Sequence, residues 1–233
     1  MIAIIILAAG ESRRMGRPKA LLPFPENFSF EGSREIKKQP AAPDAGRASP
    51  APTENETQSK TFLCHLIEVT RHPRAGILRV IVGAHATEIR AQAQLDADEL
   101  VVNEEWRRGQ LSSLQAAIRG LPAGKTDGML VCLVDHPLIS AQLVSTLVET
   151  FERDKSKIVI PTYRGKRGHP VIFPSALYAE LLAVHEDVPE NIGARAVVRA
   201  HAADVVEVPV NEEGVIVNLN DPETFRRFSM QSQ

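Results

Sequence analysis

Short, largely apolar runs recur along this chain with helical patterns between them, and that alternation limits the fold more than any other feature. The runs are Ile2 to Leu7, Ile77 to Val82, Leu100 to Val102, Met129 to Val134, Lys157 to Ile160 and Val205 to Val208. Runs of that length without polar alternation suit strands buried on both faces, as in a parallel sheet. Helical periodicity falls at about 61–71, 86–95, 110–120, 140–153, 174–183 and 192–200. Strands alternating with helices predict βαβ units with right-handed crossovers, hence an α/β fold of three layers, α/β/α, around a mostly parallel sheet. A chain of 233 residues suffices for one such domain, expected over 1–228 with a frayed tail at 229–233.

One stretch breaks the rhythm. From about 25 to 60 the chain is rich in Pro, Ala, Glu, Ser and Lys and can bury almost nothing. It reads as a flexible insertion, either a surface loop, a lid or a tolerated linker-like excursion. The apolar N-terminus has no basic residues before it and is too short to span a membrane, so a buried strand explains it better than a signal peptide. Formal net charge is −2 with no basic face, which argues against nucleic acid as the main partner. The two cysteines, Cys64 and Cys132, have no metal-ligand spacing, and Cys132 reads as a buried core thiol. That usage suits a reducing cytoplasm, and neither a membrane nor a disulfide framework is expected.

The sharpest local signal follows the first strand, over Leu7-Ala8-Ala9-Gly10-Glu11-Ser12-Arg13-Arg14-Met15-Gly16-Arg17-Pro18-Lys19. A loop leaving the C-terminal end of a parallel strand sits where open α/β sheets bind ligands. Small residues at 8 to 10 let the backbone approach a ligand closely. Amides from Gly10 to Gly16 can form an anion nest, and Arg13, Arg14 and Lys19 add positive charge, a combination suited to a triphosphate. The loop is neither Gly-x-x-x-x-Gly-Lys-Ser/Thr nor Gly-x-Gly-x-x-Gly.

Asp135 follows the fourth apolar run in Val134-Asp135-His136-Pro137-Leu138. A carboxylate there is costly unless a cation pairs with it, and Mg²⁺ takes one or two carboxylates with phosphate oxygens and water. Asp135 is therefore the first candidate metal ligand, and Ser140 the better N-cap for the helix that follows. Asn103-Glu104-Glu105-Trp106-Arg107-Arg108-Gly109-Gln110-Leu111-Ser112-Ser113-Leu114 offers a glycine followed by hydroxyls at a helix start. Ser112 and Ser113 are candidates for nucleotide or acceptor contact, or are plain caps. Arg164-Gly165-Lys166-Arg167-Gly168-His169-Pro170 places His169 beside cations including Arg167. It reads either as an anionic-acceptor site or as a basic hairpin turn. In Asn218-Leu219-Asn220-Asp221-Pro222, Asp221 is expected to cap a helix that starts at Pro222.

These stretches, in their order along the chain, resemble the MobA-like NTP transferases, most closely the molybdenum cofactor cytidylyltransferase branch often called MocA. The resemblance implies a Rossmann-like nucleotidyltransferase fold of the nucleotide-diphospho-sugar transferase type and transfer of NMP from NTP to a small phosphorylated acceptor with release of pyrophosphate. It implies that Lys19 neutralises the triphosphate, that Arg14 holds phosphates, and that Ala9 and Gly10 lie near base and ribose. Leu7, Ala8, Ser12, Arg13 and Gly16 complete the expected nucleotide side, and His169 and Arg167 the acceptor side. Asn220, with Asn218 as alternate, aligns with a second ligand for Mg²⁺. The Leu-Ala-Ala-Gly opening points to CTP rather than GTP, and the branch points to a molybdopterin-type acceptor. A sugar or alcohol phosphate acceptor, or a non-catalytic nucleotide-binding relative, are the alternatives. His136 departs from the family's Gln at that position and is open between phosphate, acceptor and solvent.

Overall fold

In the computed structural model, which describes residues 1–24, 60–93, 95–184 and 193–230, the six expected strands all form. They are β1 (Ile2–Ala8), β2 (Ala75–Val82), β3 (Leu100–Val102), β4 (Gly128–Leu133), β5 (Ile158–Tyr163) and β8 (Val205–Pro209). β1 lies at the centre, parallel to β2 on one side and β4 on the other, with β3 parallel beyond β2. β8 runs parallel to β5.

Two strands fall outside the expected set. β6 (Lys166–Arg167) and β7 (Val171–Pro174) are the return of the chain from β5, and β7 inserts between β4 and β5, antiparallel to both. The cause is local. Arg164 and Gly165 both adopt left-handed backbone (φ 49° and 75°), so a two-residue turn reverses the chain where a helical crossover would have kept it parallel. The basic stretch at 164–167 is thus a hairpin turn, with Gly168-His169-Pro170 between its two short strands.

Alternation along β1 divides the core. Ile2, Ile4, Ile6 and Ala8 face one layer, with Phe62 and Leu66 of α1 (Phe62–Val69) and Leu147 and Phe151 of α4 (Ala141–Arg153). Ala3, Ile5 and Leu7 face the other. There they meet Leu114, Ala117 and Ile118 of α3 (Gln110–Arg119), Leu181 of α5 (Tyr178–Ala183) and Val197 of α6 (Gly193–Ala200). A strand buried on both faces gains roughly 1.5–3 kcal/mol per large aliphatic side chain, which explains why β1 tolerates no polar residue. α2 (Ala86–Gln92) adds Ile89 to the first layer and α7 (Pro222–Met230) adds Phe228.

The expected caps at Ser140 and Asp221 are present: Ser140 Oγ accepts from Leu143 N at 3.0 Å, and Asp221 Oδ1 from Thr224 N at 2.9 Å. Both cysteines are free. Cys132 is buried, which pushes its thiol up to about 12, and Cys64 is exposed. The expected insertion lies, over 25–59, outside the described residues, as do 231–233 of the tail. The segments bounding the insertion are paired: Phe24 N donates to Lys60 O (2.6 Å) and Phe62 N to Leu22 O (2.9 Å). Among the described residues no helix is long and apolar enough to cross a membrane.

Candidate active site

The chain leaves β1 through Ala9, which is buried, and then turns outward. Ser12 takes left-handed backbone (φ 54°), Arg13–Met15 form a 3₁₀ turn, and Gly16 closes it at φ 67°. A β-carbon is tolerated at Ser12 because the turn repays the strain: Met15 N donates to Ser12 O (2.9 Å) and Lys19 N to Ser12 Oγ (3.0 Å). The second bond carries the chain back inward and delivers Lys19.

Lys19 Nζ lies 3.5 Å from Asp135 Oδ2 and donates to Asn220 Oδ1. Asn218 Nδ2 donates to the same Asp135 oxygen at 3.2 Å. Four side chains from three distant segments therefore converge beyond the C-terminal ends of β1 and β4. Backbone bonds hold them there. Val134 N donates to Leu7 O (3.1 Å), and Leu219 N donates to Asp135 O (2.7 Å). Asn218 Oδ1 is buried and has no hydrogen-bond partner among the described residues.

The segment carrying the asparagines is locked in place by close backbone approach. A Cβ on Gly214 would strike the Leu138 carbonyl, and one on Gly168 would strike the Val215 carbonyl. The Val215 carbonyl also accepts from His169 N at 2.8 Å. His136 and His169 face each other, ring centroids 5.1 Å apart, beside Asp135. Burial lowers both pKa values, His169 to about 4, against the opposing pull of the Asp135 charge. Each has a buried Nδ1 without a partner among the described residues. Unsatisfied buried polar atoms are uncommon in folded proteins, and these three belong to side chains grouped around Asp135. Half-buried against Val215, His136 is not a solvated loop histidine.

The other expected residues distribute differently. Arg13 pairs with Glu11 at 2.6 Å, while exposed Arg14 lies near enough to Asp221 to lower its pKa further, after the Thr224 hydrogen bonds. Arg167 pairs with Glu207 at 2.7 Å. Ser112 and Ser113 are buried inside α3 and do not cap it; Gly109 occupies that place. Asn103 Nδ2 donates to both hydroxyls, at 2.9 and 3.0 Å, and Ser112 Oγ lies 2.8 Å from Gly109 O. These bonds shape the turn that carries Trp106. Trp106 in turn packs on Gly83, whose missing side chain leaves room for both the indole and the Ala9 carbonyl. Trp106 and Gly83 thus link the turn before α3 to the Ala9 carbonyl at the start of the β1 loop. Gly214 and Val215 carry no sequence signal for these roles, since each acts through a tertiary contact; Asn103 opens the stretch that resembles the family, but its bonds to the two serines were not expected.

Among the described residues there is no group of three or more His, Cys, Asp or Glu positioned for a metal. The oxygen set at Asp135, Asn218 and Asn220 instead suits a hard cation that takes its remaining ligands from phosphate and water.

The model of the MobA-like NTP transferase domain matches residues 55–205. That span includes Asp135, Ser112, Ser113 and His169, while Lys19 and Asn220 lie outside it. The chain is 29% identical over 230 residues to a probable molybdenum cofactor guanylyltransferase of Mycobacterium avium, covering 98% of this chain and 95% of the relative. It is also 29% identical over 206 residues to nicotine blue oxidoreductase of Paenarthrobacter nicotinovorans, covering 84% and 80%. In architecture it is similar to the Rv0371c protein of Mycobacterium tuberculosis in its manganese complex. The TM-score is 0.66 at 22% identity, covering 98% of each chain.

Proposed function

The chain belongs to the MobA-like NTP transferase family, and from that premise we propose that it transfers CMP from CTP to a molybdopterin-type acceptor and releases pyrophosphate. The observation that carries the reading is the convergence of Lys19, Asp135, Asn218 and Asn220 next to the β1 loop. An acceptor phosphate oxygen attacks the α-phosphorus in line; the new P–O bond forms as the bond to pyrophosphate breaks. The acceptor phosphate is already ionised at neutral pH, so no strong base is required. The protein's part is positioning and charge neutralisation.

Asp135 with Asn220 and Asn218 would hold Mg²⁺, the unpartnered Asn218 Oδ1 being the observation that favours a cation there. Bound Mg²⁺ would neutralise phosphate charge. Lys19 spans Asp135 and Asn220, and its reach lets it turn from those oxygens to the triphosphate. Arg14, exposed on the same loop, is placed for the outer phosphates. The oxidoreductase-named relative shares the family resemblance, and the Lys19–Asp135–asparagine group is the reason for preferring group transfer.

For the nucleotide, Ala9 in place of a glycine adds a methyl to the wall of the loop, which favours the smaller pyrimidine. For the acceptor, His169 beside His136 and Asp135 is the contact best placed; Arg167 takes part only by leaving Glu207.

Binding of CTP, GTP and ATP with Mg²⁺ to the wild type and to Asp135→Ala tests the reading. The expected result is a preference for CTP that falls by on the order of 10²-fold in the variant. A preference for GTP or ATP keeps the reaction and overturns the base assignment, as does acceptance of a sugar phosphate for the acceptor. Absence of Mg²⁺-dependent binding contradicts the proposal.

A further inference from the structure

The loop from Gly10 to Arg17 has no buried residue of its own. Its internal bonds, Met15 N to Ser12 O and Lys19 N to Ser12 Oγ, tie its middle to its end. A segment so exposed, with Ser12 and Gly16 both in left-handed backbone, would lose considerable conformational entropy on ordering unless its start were also anchored.

The turn that leaves β2 supplies that anchor. Ala84 N donates to Ala9 O at 3.2 Å. Gly83 allows the approach, since a Cβ there would lie 2.7 Å from the Ala9 carbonyl oxygen. One residue further on, His85 Nε2 lies 3.0 Å from the Glu11 carbonyl oxygen. A carbonyl only accepts, so Nε2 carries the proton. The other ring nitrogen lies 3.8 Å from a Glu88 carboxylate oxygen in the first turn of α2, too far for a hydrogen bond, so the Glu11 carbonyl is the ring's contact with the loop. Residues 83–85 thus hold the first and third positions beyond β1, Ala9 and Glu11, each by a hydrogen bond to its carbonyl.

We propose that His85 is a positioning residue of the nucleotide site, one that acts through the Glu11 carbonyl to hold the β1 loop in the shape that presents its amides, Arg14 and Lys19 to a triphosphate. Its effect on nucleotide rests on the nucleotidyltransferase reading; its effect on the order of the loop does not.

Two substitutions separate the donor from the bulk. His85→Phe keeps a ring and removes the N–H; His85→Gln keeps an amide N–H at a similar reach. In the nucleotide-free protein, hydrogen exchange of the amides from 10 to 19 is expected to quicken in the Phe variant and to stay near wild type in the Gln variant. The dissociation constant for CTP with Mg²⁺ is expected to rise roughly 3- to 10-fold in the Phe variant, the size of one net hydrogen bond, and to recover in the Gln variant. KM for the nucleotide should follow it while kcat stays within about 2-fold, a smaller change than loss of one hydrogen bond to a reacting group would give. Unchanged exchange and affinity in the Phe variant would overturn the proposal, and so would a fall in kcat with KM constant. Should the wild type bind no nucleotide, the nucleotidyltransferase reading fails while the exchange comparison still decides the anchor.

Discussion

Asp135 could be picked out in the sequence because it is a charge at the end of an apolar run, where only a partner or a ligand makes burial tolerable, and Lys19 because it is one of three cations on the loop beyond the first strand. The structure pairs them at 3.5 Å. The asparagines were legible only through the family pattern, and the structure gives both a part: Asn218 bonds Asp135 and Asn220 bonds Lys19. Ser112 and Ser113 show the limit of local reasoning. A hydroxyl after a glycine at a helix start looks available, yet Asn103 draws both inward. The residue most open to a specificity test is Ala9. Ala9→Gly removes one methyl from the loop, and one methyl-sized difference in a pocket is worth about 10-fold or somewhat more. The ratio of kcat/KM for CTP over GTP should fall by roughly that factor in competition assays. An unchanged ratio would remove Ala9 from base selection.

At the scale of elements, the strand-to-loop junctions decide the site. α1 is fixed to the neighbouring loop by His65, whose Nε2 lies 3.1 Å from Ile139 O and whose ring stacks on Phe24 at 3.7 Å. Burial lowers the His65 pKa from 6.5 to about 4, so the folded state holds it neutral. Between those two values the unfolded chain binds the extra proton. Stability is therefore full above about pH 6.5 and is lost as pH falls through 4. Melting temperatures measured from pH 7 to 4 should drop less steeply for His65→Gln, which keeps a donor for Ile139 and cannot titrate. An identical slope would assign the acid sensitivity elsewhere. The 212–220 segment makes a second test. Gly214→Ala sets a Cβ against the Leu138 carbonyl, backbone against side chain with no rotamer to relieve it. A loss of about 1–3 kcal/mol is expected, or about 2–4 °C in melting temperature per kcal/mol. Activity should fall further than stability alone explains, because Asn218 and Asn220 ride on that segment. Nothing in Asn211-Glu212-Glu213-Gly214 distinguishes this glycine from an ordinary turn residue, which is why the sequence did not reveal it.

Across the whole molecule, β1 and β4 were readable because they are buried along their whole length and appear as unbroken apolar runs, whereas β2 and β8 were readable as apolar runs interrupted by one charged residue each, Arg79 and Glu207. β7 was not. Its four residues follow a hairpin and not a crossover, and their direction depends on the left-handed pair Arg164 and Gly165, a property of two backbone angles. Its insertion between β4 and β5 shapes the candidate site, since the chain preceding it carries the His169 ring centroid to 5.1 Å from that of His136. Sheet topology thus brings the β1 loop, the Asp135 turn, the His169 bend and the asparagine segment together, four stretches that are far apart in the chain. We propose that this assembly transfers a nucleotidyl group. The most direct measurement is incubation of the protein with CTP labelled at the α-phosphorus, Mg²⁺ and a molybdopterin acceptor, following both label and pyrophosphate. Label joined to the acceptor with one pyrophosphate released per transfer is the expected result, with loss of both in Asp135→Ala. Bound CTP with neither labelled product nor pyrophosphate, with GTP and ATP equally inert and with sugar-phosphate acceptors also unlabelled, would contradict it.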